Sequence, residues 1–111
     1  MENYTKIEKH SNYTEYLNDK GERHRIEGPA LEYSNGDKEW YLNDECHREN
    51  GPAIELANGS KFWYLNGKCH REDGPAVEYF SGYKYYYQGI NLDFIKNDKQ
   101  LKSYLKMKAF L

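Results

Sequence analysis

Along most of the chain, apolar and polar residues alternate in short runs. Leu31 and Tyr33, Ile54 and Leu56, and Val77 and Tyr79 bracket Glu32, Glu55 and Glu78. A period of two places the apolar set on one face of a strand and the glutamates on the other, with Ala30, Ala53 and Ala76. In the run that follows, Trp40 and Leu42, and then Trp63 and Leu65, share a face opposite Tyr41, Tyr64 and Tyr87. Turn signals separate the runs. Asn58-Gly59 and Asn66-Gly67 are hairpin pairs because both residues accept positive φ, and Asn35-Gly36, Ser81-Gly82 and Asn43-Asp44 take the corresponding places. The pattern predicts a mainly β fold, an elongated antiparallel meander of repeated hairpins from about Tyr4 to Gln88. From Asp93 onward there is no Gly or Pro, and Phe94, Leu101, Leu105 and Lys108 recur at helical spacing. One C-terminal amphipathic helix is expected there, capped by Asn91 or Asp93.

The same phrase is written more than once. "WYLNDECHRENGPA" from Trp40 returns as "WYLNGKCHREDGPA" from Trp63, and Gly-Pro-Ala stands at Gly28, Gly51 and Gly74, a period of 23 residues. His-Arg precedes each at His24-Arg25, His47-Arg48 and His70-Arg71, and Trp-Tyr degenerates to Tyr86-Tyr87 one period later. A short fixed period means stacked supersecondary units. The units fall near residues 13–36, 37–59 and 60–82, with a partial one at 83–92. They make a β-repeat domain over 1–92, followed by a Lys-rich helix over 93–111.

These residues resemble MORN repeats in a variant form. The period, the strand-Asn-Gly-strand unit and the aromatic segment before the turn carry the likeness over about Tyr13 to Gly89. "WYLNG" and "HRxxGPA" stand where the usual pattern has glycines in "YxGxW" and "HGxG". Arrays of "HRxDGPA" also resemble repeat proteins of phages and large DNA viruses. The resemblance implies a non-enzymatic scaffold or binding module, with lipid contact also proposed for that family. It further implies an inhibitor of a host defence protein, or an antitoxin-like partner.

Composition narrows the field. Only 38% of the 111 residues are hydrophobic, and the twelve tyrosines suit half-buried pleated surfaces. The net charge is −2, so no global field favours nucleic acid or membrane, and none of either is expected to bind strongly. The charge is unevenly placed. Five lysines against two aspartates give the last segment +3, which leaves the ribbon at −5 and raises nucleic-acid mimicry as an alternative. No signal segment or apolar span is read, and two Cys suggest a reduced, cytoplasmic chain, the host cytoplasm if phage-borne or viral.

Candidate chemistry is sparse. Cys46, His47, Cys69 and His70 are the right types for zinc. However, neighbours in a strand point to opposite faces, and two strands separate the cysteines by roughly 10 Å. Arg23 also replaces the Cys in the first unit. Free thiols, no metal and no cofactor are expected. There is no phosphate loop, HExxH or GxSxG, so no catalytic residue is assigned. The candidate protein-binding residues are Tyr41, Phe62, Tyr64, Tyr85 and Tyr87, flanked by Arg25, Arg48 and Arg71. Each arginine could instead pair within the fold, with Glu49, Glu72 or a carboxylate across the ladder. The expected partner is a protein target, with a homodimer as the alternative.

Overall fold

The computed structural model describes residues 2–110. An eight-stranded antiparallel sheet runs the length of the molecule. Its strands are β1 (Lys6–Lys9), β2 (Tyr13–Leu17), β3 (Leu31–Tyr33), β4 (Lys38–Glu39), β7 (Ile54–Glu55), β8 (Lys61–Phe62), β11 (Val77–Tyr79) and β12 (Gly82–Lys84), in that spatial order. Beside it stands a row of three small hairpins: β5 (Tyr41–Leu42) with β6 (Glu45–Cys46), β9 (Tyr64–Leu65) with β10 (Lys68–Cys69), and β13 (Tyr86–Tyr87) with β14 (Ile90–Asn91). Helix α1 (Asp98–Ala109) ends the chain. The molecule is an open, elongated meander of 44 × 32 × 18 Å, not a barrel. Among the described residues, no helix is long and apolar enough to cross a membrane.

The run from Ser60 to Leu65 is not one strand. It breaks at Trp63 between β8 and β9, as the preceding unit breaks at Trp40 between β4 and β5. Each unit therefore contributes one hairpin to the sheet and one to the row. The row hairpins turn on residues with left-handed backbone: Asn43 and Asp44, Asn66 and Gly67, and Gln88 and Gly89. Both central residues have positive φ, the turn whose twist matches the flanking strands.

The last unit departs from the 23-residue period. In the first two units the sheet hairpin closes over three residues, because Leu31 pairs with Glu39 and Ile54 with Phe62. In the third, Tyr79 pairs directly with Gly82, which leaves only Phe80 and Ser81 in the loop. One residue is missing, so every later position shifts by one. The Trp63-Tyr64 counterpart is Tyr85-Tyr86, not Tyr86-Tyr87, and Ser81-Gly82 does not occupy the Asn58-Gly59 place. The meander also continues beyond Gln88, through β14.

The helix begins later than the spacing suggested. Its cap is Asn97, whose Oδ1 accepts from the Gln100 N–H at 2.9 Å, rather than Asp93 or Asn91. Residues 92–97 are used instead to cross the end of the array. Phe94 lies outside the helix and is 63% exposed, although its ring still meets Tyr104. The contiguous apolar core sits at this end: Tyr85, Leu92, Ile95 and Leu101, with Tyr87, Tyr104 and Leu105 packed against it.

Candidate functional site

The repeated phrase spells out an interlock between units. Each histidine ring caps the next unit's turn. His24 Nδ1 accepts from the Asn43 N–H at 2.9 Å, His47 Nδ1 from Asn66 at 2.8 Å, and His70 Nδ1 from Gln88 at 2.8 Å. His24 and His70 are buried, so an uncapped turn there would leave a polar ring atom without a partner. The backbone repeats the link: Arg25 N–H donates to Tyr41 C=O, Arg48 to Tyr64 and Arg71 to Tyr86.

The arginines lie against aromatic rings. The Cζ atoms of Arg25, Arg48 and Arg71 each stand 3.9 Å from a ring centroid, those of Tyr16, Trp40 and Trp63 respectively. Their Nη1 atoms donate to the carbonyls of Pro29, Pro52 and Pro75, at 3.1, 3.0 and 3.0 Å. The same atoms donate to Glu32, Glu55 and Glu78, at 3.1, 2.7 and 3.1 Å. Of the intramolecular partners the sequence offered, the carboxylate across the ladder is the one common to all three. Arg71 adds its near neighbour Asp73 at 2.8 Å. A stacked cation of this kind contributes about 0.5–2 kcal/mol.

The remaining letters of the phrase follow from this arginine. A Cβ at Gly28, Gly51 or Gly74 would come within 2.9, 3.1 or 2.9 Å of the guanidinium carbon, so the position stays glycine. Ala30, Ala53 and Ala76 are fully buried.

The aromatic candidates divide between two faces. Tyr41 pairs across its hairpin with Cys46, and Tyr64 with Cys69. The register places Tyr86, opposite Asn91, at the third position of this row. Tyr85 and Tyr87 alternate with Tyr86 and lie on the other face, against the helix. Phe62 lies in the main sheet, across the break at Trp63 from Tyr64, and meets Tyr79 edge-on, with centroids 5.6 Å apart. Tyr41, Phe62 and Tyr64 are half-buried. The Tyr41 hydroxyl donates to Glu39 at 2.6 Å, and burial followed by that carboxylate pushes its pKa up. Burial is also the largest cause raising Tyr64.

The cysteines are free thiols. Burial, then the Glu39 charge, pushes Cys46 up to about 12, and burial pushes Cys69 up to about 11. Burial favours the neutral thiol over the thiolate, which is the form that attacks or ligates. His47 and His70 spend Nδ1 on their turns and turn Nε2 toward Glu49 and Glu72, at 3.7 and 2.9 Å. Among the described residues, one trio of ligand types converges, Glu8, His10 and Glu15 on the first hairpin. Its carboxylates are paired with Lys6 at 2.7 Å and Arg23 at 3.5 Å, and His10 contacts Glu15 at 2.8 Å.

On the arginine side the array opens two clefts, one per period. The first, about 590 Å³, is lined by Ile26, Glu27, Trp40, Leu42, Arg48 and Glu49, among others. The second, about 490 Å³, has the same construction from Glu49, Trp63, Leu65, Arg71, Glu72 and Asp73. Trp and Leu form the apolar lining, and exposed carboxylates lie at the mouth. The sequence pattern placed Trp40 with Leu42 and Trp63 with Leu65 on one face. It did not mark them as a site, because the bend that opens the cleft is a tertiary feature.

No protein-family model matches the chain, and no curated protein or solved structure matches it either.

Proposed function

We propose that the chain is a non-enzymatic protein-binding repeat module, acting by covering part of a partner's surface. The carrying observation is the pair of like clefts, each with a Trp–Leu lining and a carboxylate mouth, set one repeat apart on a frame locked by the histidine and arginine bonds. A preformed aromatic site loses little entropy on binding, and a few such anchors dominate interface energy. The variant-MORN likeness supports the same reading, and inhibition of a target by occlusion is its sharper form.

Affinity capture on the immobilised chain, followed by titration of the purified captured protein, tests this. Leu65→Glu should abolish the interaction while Tyr64→Ala, on the opposite face, leaves it intact. Absence of any saturable protein ligand at micromolar concentration ends the reading.

A second reading is self-association. Strand β12 is the last in the sheet and exposed throughout, and Phe80 at its hairpin tip is 99% exposed. An open edge beside bare aromatics favours pairing with another chain. Light scattering on the eluting protein distinguishes monomer from dimer, and Phe80→Ser should return a dimer to monomer.

A further inference from the structure

The sheet is assembled by one rule. The second strand of each hairpin, β2, β4 or β8, pairs on its far side with the first strand of the next, β3, β7 or β11. At this junction Tyr16, Trp40 and Trp63 donate their N–H to the carbonyls of Ala30, Ala53 and Ala76, at 2.8, 2.7 and 2.8 Å. Two residues back, Thr14, Lys38 and Lys61 stand opposite Glu32, Glu55 and Glu78.

Strand β12 presents the same edge with no neighbour. Because Val77 pairs with Lys84 as Ile54 pairs with Phe62, Tyr83, Lys84 and Tyr85 correspond to Lys61, Phe62 and Trp63. Successive residues of a strand bond to opposite neighbours. Gly82 closes the hairpin with Tyr79, so Gly82 and Lys84 bond inward to β11 and the backbone of Tyr83 and Tyr85 points outward. Tyr85 is buried, yet among the described residues its N–H meets no acceptor. A buried N–H left unpaired is costly. Asp93 takes the place of Arg71, and the chain leaves as a helix, so no further strand follows. A groove of about 380 Å³ lies there, lined by Tyr83, Lys84, Tyr85, Leu92 and Ile95, among others.

The other end of the sheet carries the matching edge. Strand β1 is a first strand, and its outer side is unpaired. Glu8 stands opposite Glu15 as Leu31 stands opposite Glu39, so Ile7, Glu8 and Lys9 correspond to Ala30, Leu31 and Glu32. The His10 N–H bonds inward to Tyr13 C=O at 2.8 Å, which turns the backbone of Ile7 and Lys9 outward.

We propose that β12 pairs with β1 of a second copy of this chain, so that copies join head to tail and the sheet runs on. The register follows from the rule. Tyr83 stands opposite Lys9 of the second copy and Lys84 opposite its Glu8. The Tyr85 N–H reaches the carbonyl of its Ile7, as Trp63 reaches Ala76. Among the described residues no carboxylate pairs with Lys84. Glu8 spends Oε1 on Lys6 at 2.7 Å and keeps Oε2 3.8 Å from His10, outside hydrogen-bond distance. Ile7, 44% exposed, enters the groove beside Leu92 and Ile95. The like-with-like pairings fit less well. Two β12 strands joined at Tyr83 would set Tyr85 against Ser81 in the hairpin tip. Two β1 strands joined Ile7 to Lys9 would set Glu8 against Glu8, and like charges directly opposite are destabilising. A heterologous contact of this kind does not close on itself, so the copies form an open row. This inference rests on the self-association reading and names its two surfaces.

Sedimentation velocity on the full chain tests it. Few paired positions make the contact weak, with Kd on the order of 0.1 mM, so concentrations run up to about 1 mM. The unaltered chain should grow past the dimer as concentration rises. Tyr83→Pro and Lys9→Pro each remove one outward N–H that bonds nothing within the fold, and proline is tolerated at such edge positions. Each variant alone should sediment as a monomer. An equal mixture should form a one-to-one dimer and stop there, since Tyr83→Pro keeps β1 intact and Lys9→Pro keeps β12. If a proline variant fails to fold, the charges decide: Glu8→Lys should weaken association by roughly fivefold, and adding Lys84→Glu should restore it.

An unaltered chain that stops at a dimer, association that persists in Lys9→Pro alone, or a charge reversal without effect overturns the inference and leaves the self-association reading standing. A monomer at every concentration overturns both.

Discussion

Replacing Gly74 with Ala adds one methyl group at a position whose φ is not positive, so the backbone accepts it without strain. By unfolded-chain entropy alone the change should stabilise the fold by about 0.4–1 kcal/mol. The structure reverses the sign. The new Cβ would stand 2.9 Å from Arg71 Cζ and 3.1 Å from its Nη1, where an ordinary carbon contact is about 3.5–4.0 Å. The guanidinium must retreat by roughly 0.5–1 Å. That disturbs its 3.9 Å stack on Trp63 and its bonds to Pro75, Glu78 and Asp73.

Loss of stacking costs about 0.5–2 kcal/mol, and weakening charge-assisted bonds about 1.5–3 kcal/mol at most, reduced because Arg71 is partly wet. Set against the entropic gain, the net destabilisation is about 1–2 kcal/mol, or roughly 5–10 °C in melting temperature. Urea unfolding followed by Trp fluorescence measures it. The decisive comparison repeats Gly74→Ala in an Arg71→Ala background. With the guanidinium gone, the three closest contacts of the methyl go with it, and the substitution should become neutral or stabilising. If Gly74→Ala costs the same within about 0.5 kcal/mol in both backgrounds, the arginine is not why this position is glycine.

Gln88→Asn should stabilise by roughly 0.5–1 kcal/mol, because Gln88 holds φ +48° where the first two turns carry the better-suited Asn; a lower urea midpoint would contradict this. Leu101→Ala should cost about 2–5 kcal/mol and release α1 from the array, seen as lost helical circular dichroism at lower temperature than the β signal. Tyr85→Phe should cost about 1 kcal/mol through the lost Asp98 bond, and an unchanged melting curve would show that this bond contributes nothing. The raised thiols and the raised Tyr41, Tyr64 and Tyr85 hydroxyls need their neutral forms in the fold. Their contribution is full below the ordinary thiol value of 9.0 and is lost as pH climbs through 9 and beyond, so urea midpoints should hold steady up to about pH 8 and fall above it. Native Cys46 and Cys69 should react with a thiol reagent at pH 8 about a hundredfold slower than in urea.

The alternation of Leu31, Glu32 and Tyr33 and the Asn-Gly pairs determined the antiparallel meander, because a period of two and a left-handed turn are local properties of the chain. The period of 23 determined that units stack. The helix was legible in composition, although its start was not. Asp93 and Asn97 are both good caps, and the choice fell to Asn97 because residues 92–95 are drawn across Tyr85 to close the core.

Tertiary structure decided the rest. One residue deleted from the loop at Phe80-Ser81 moved Tyr85 into the place of Trp63, which only strand pairing reveals, since the repeated letters align equally well without the gap. The partner of each arginine lies seven residues ahead in sequence yet across the ladder in space, so charge spacing along the chain could not select Glu32, Glu55 and Glu78 over their neighbours. The clefts exist because each unit bends at Trp40 or Trp63, and a bend between two strands leaves no mark on an alternating pattern. What fills the third of these positions is set by where the array ends, for a helix can cover Tyr85 only where no further unit supplies an arginine to do so.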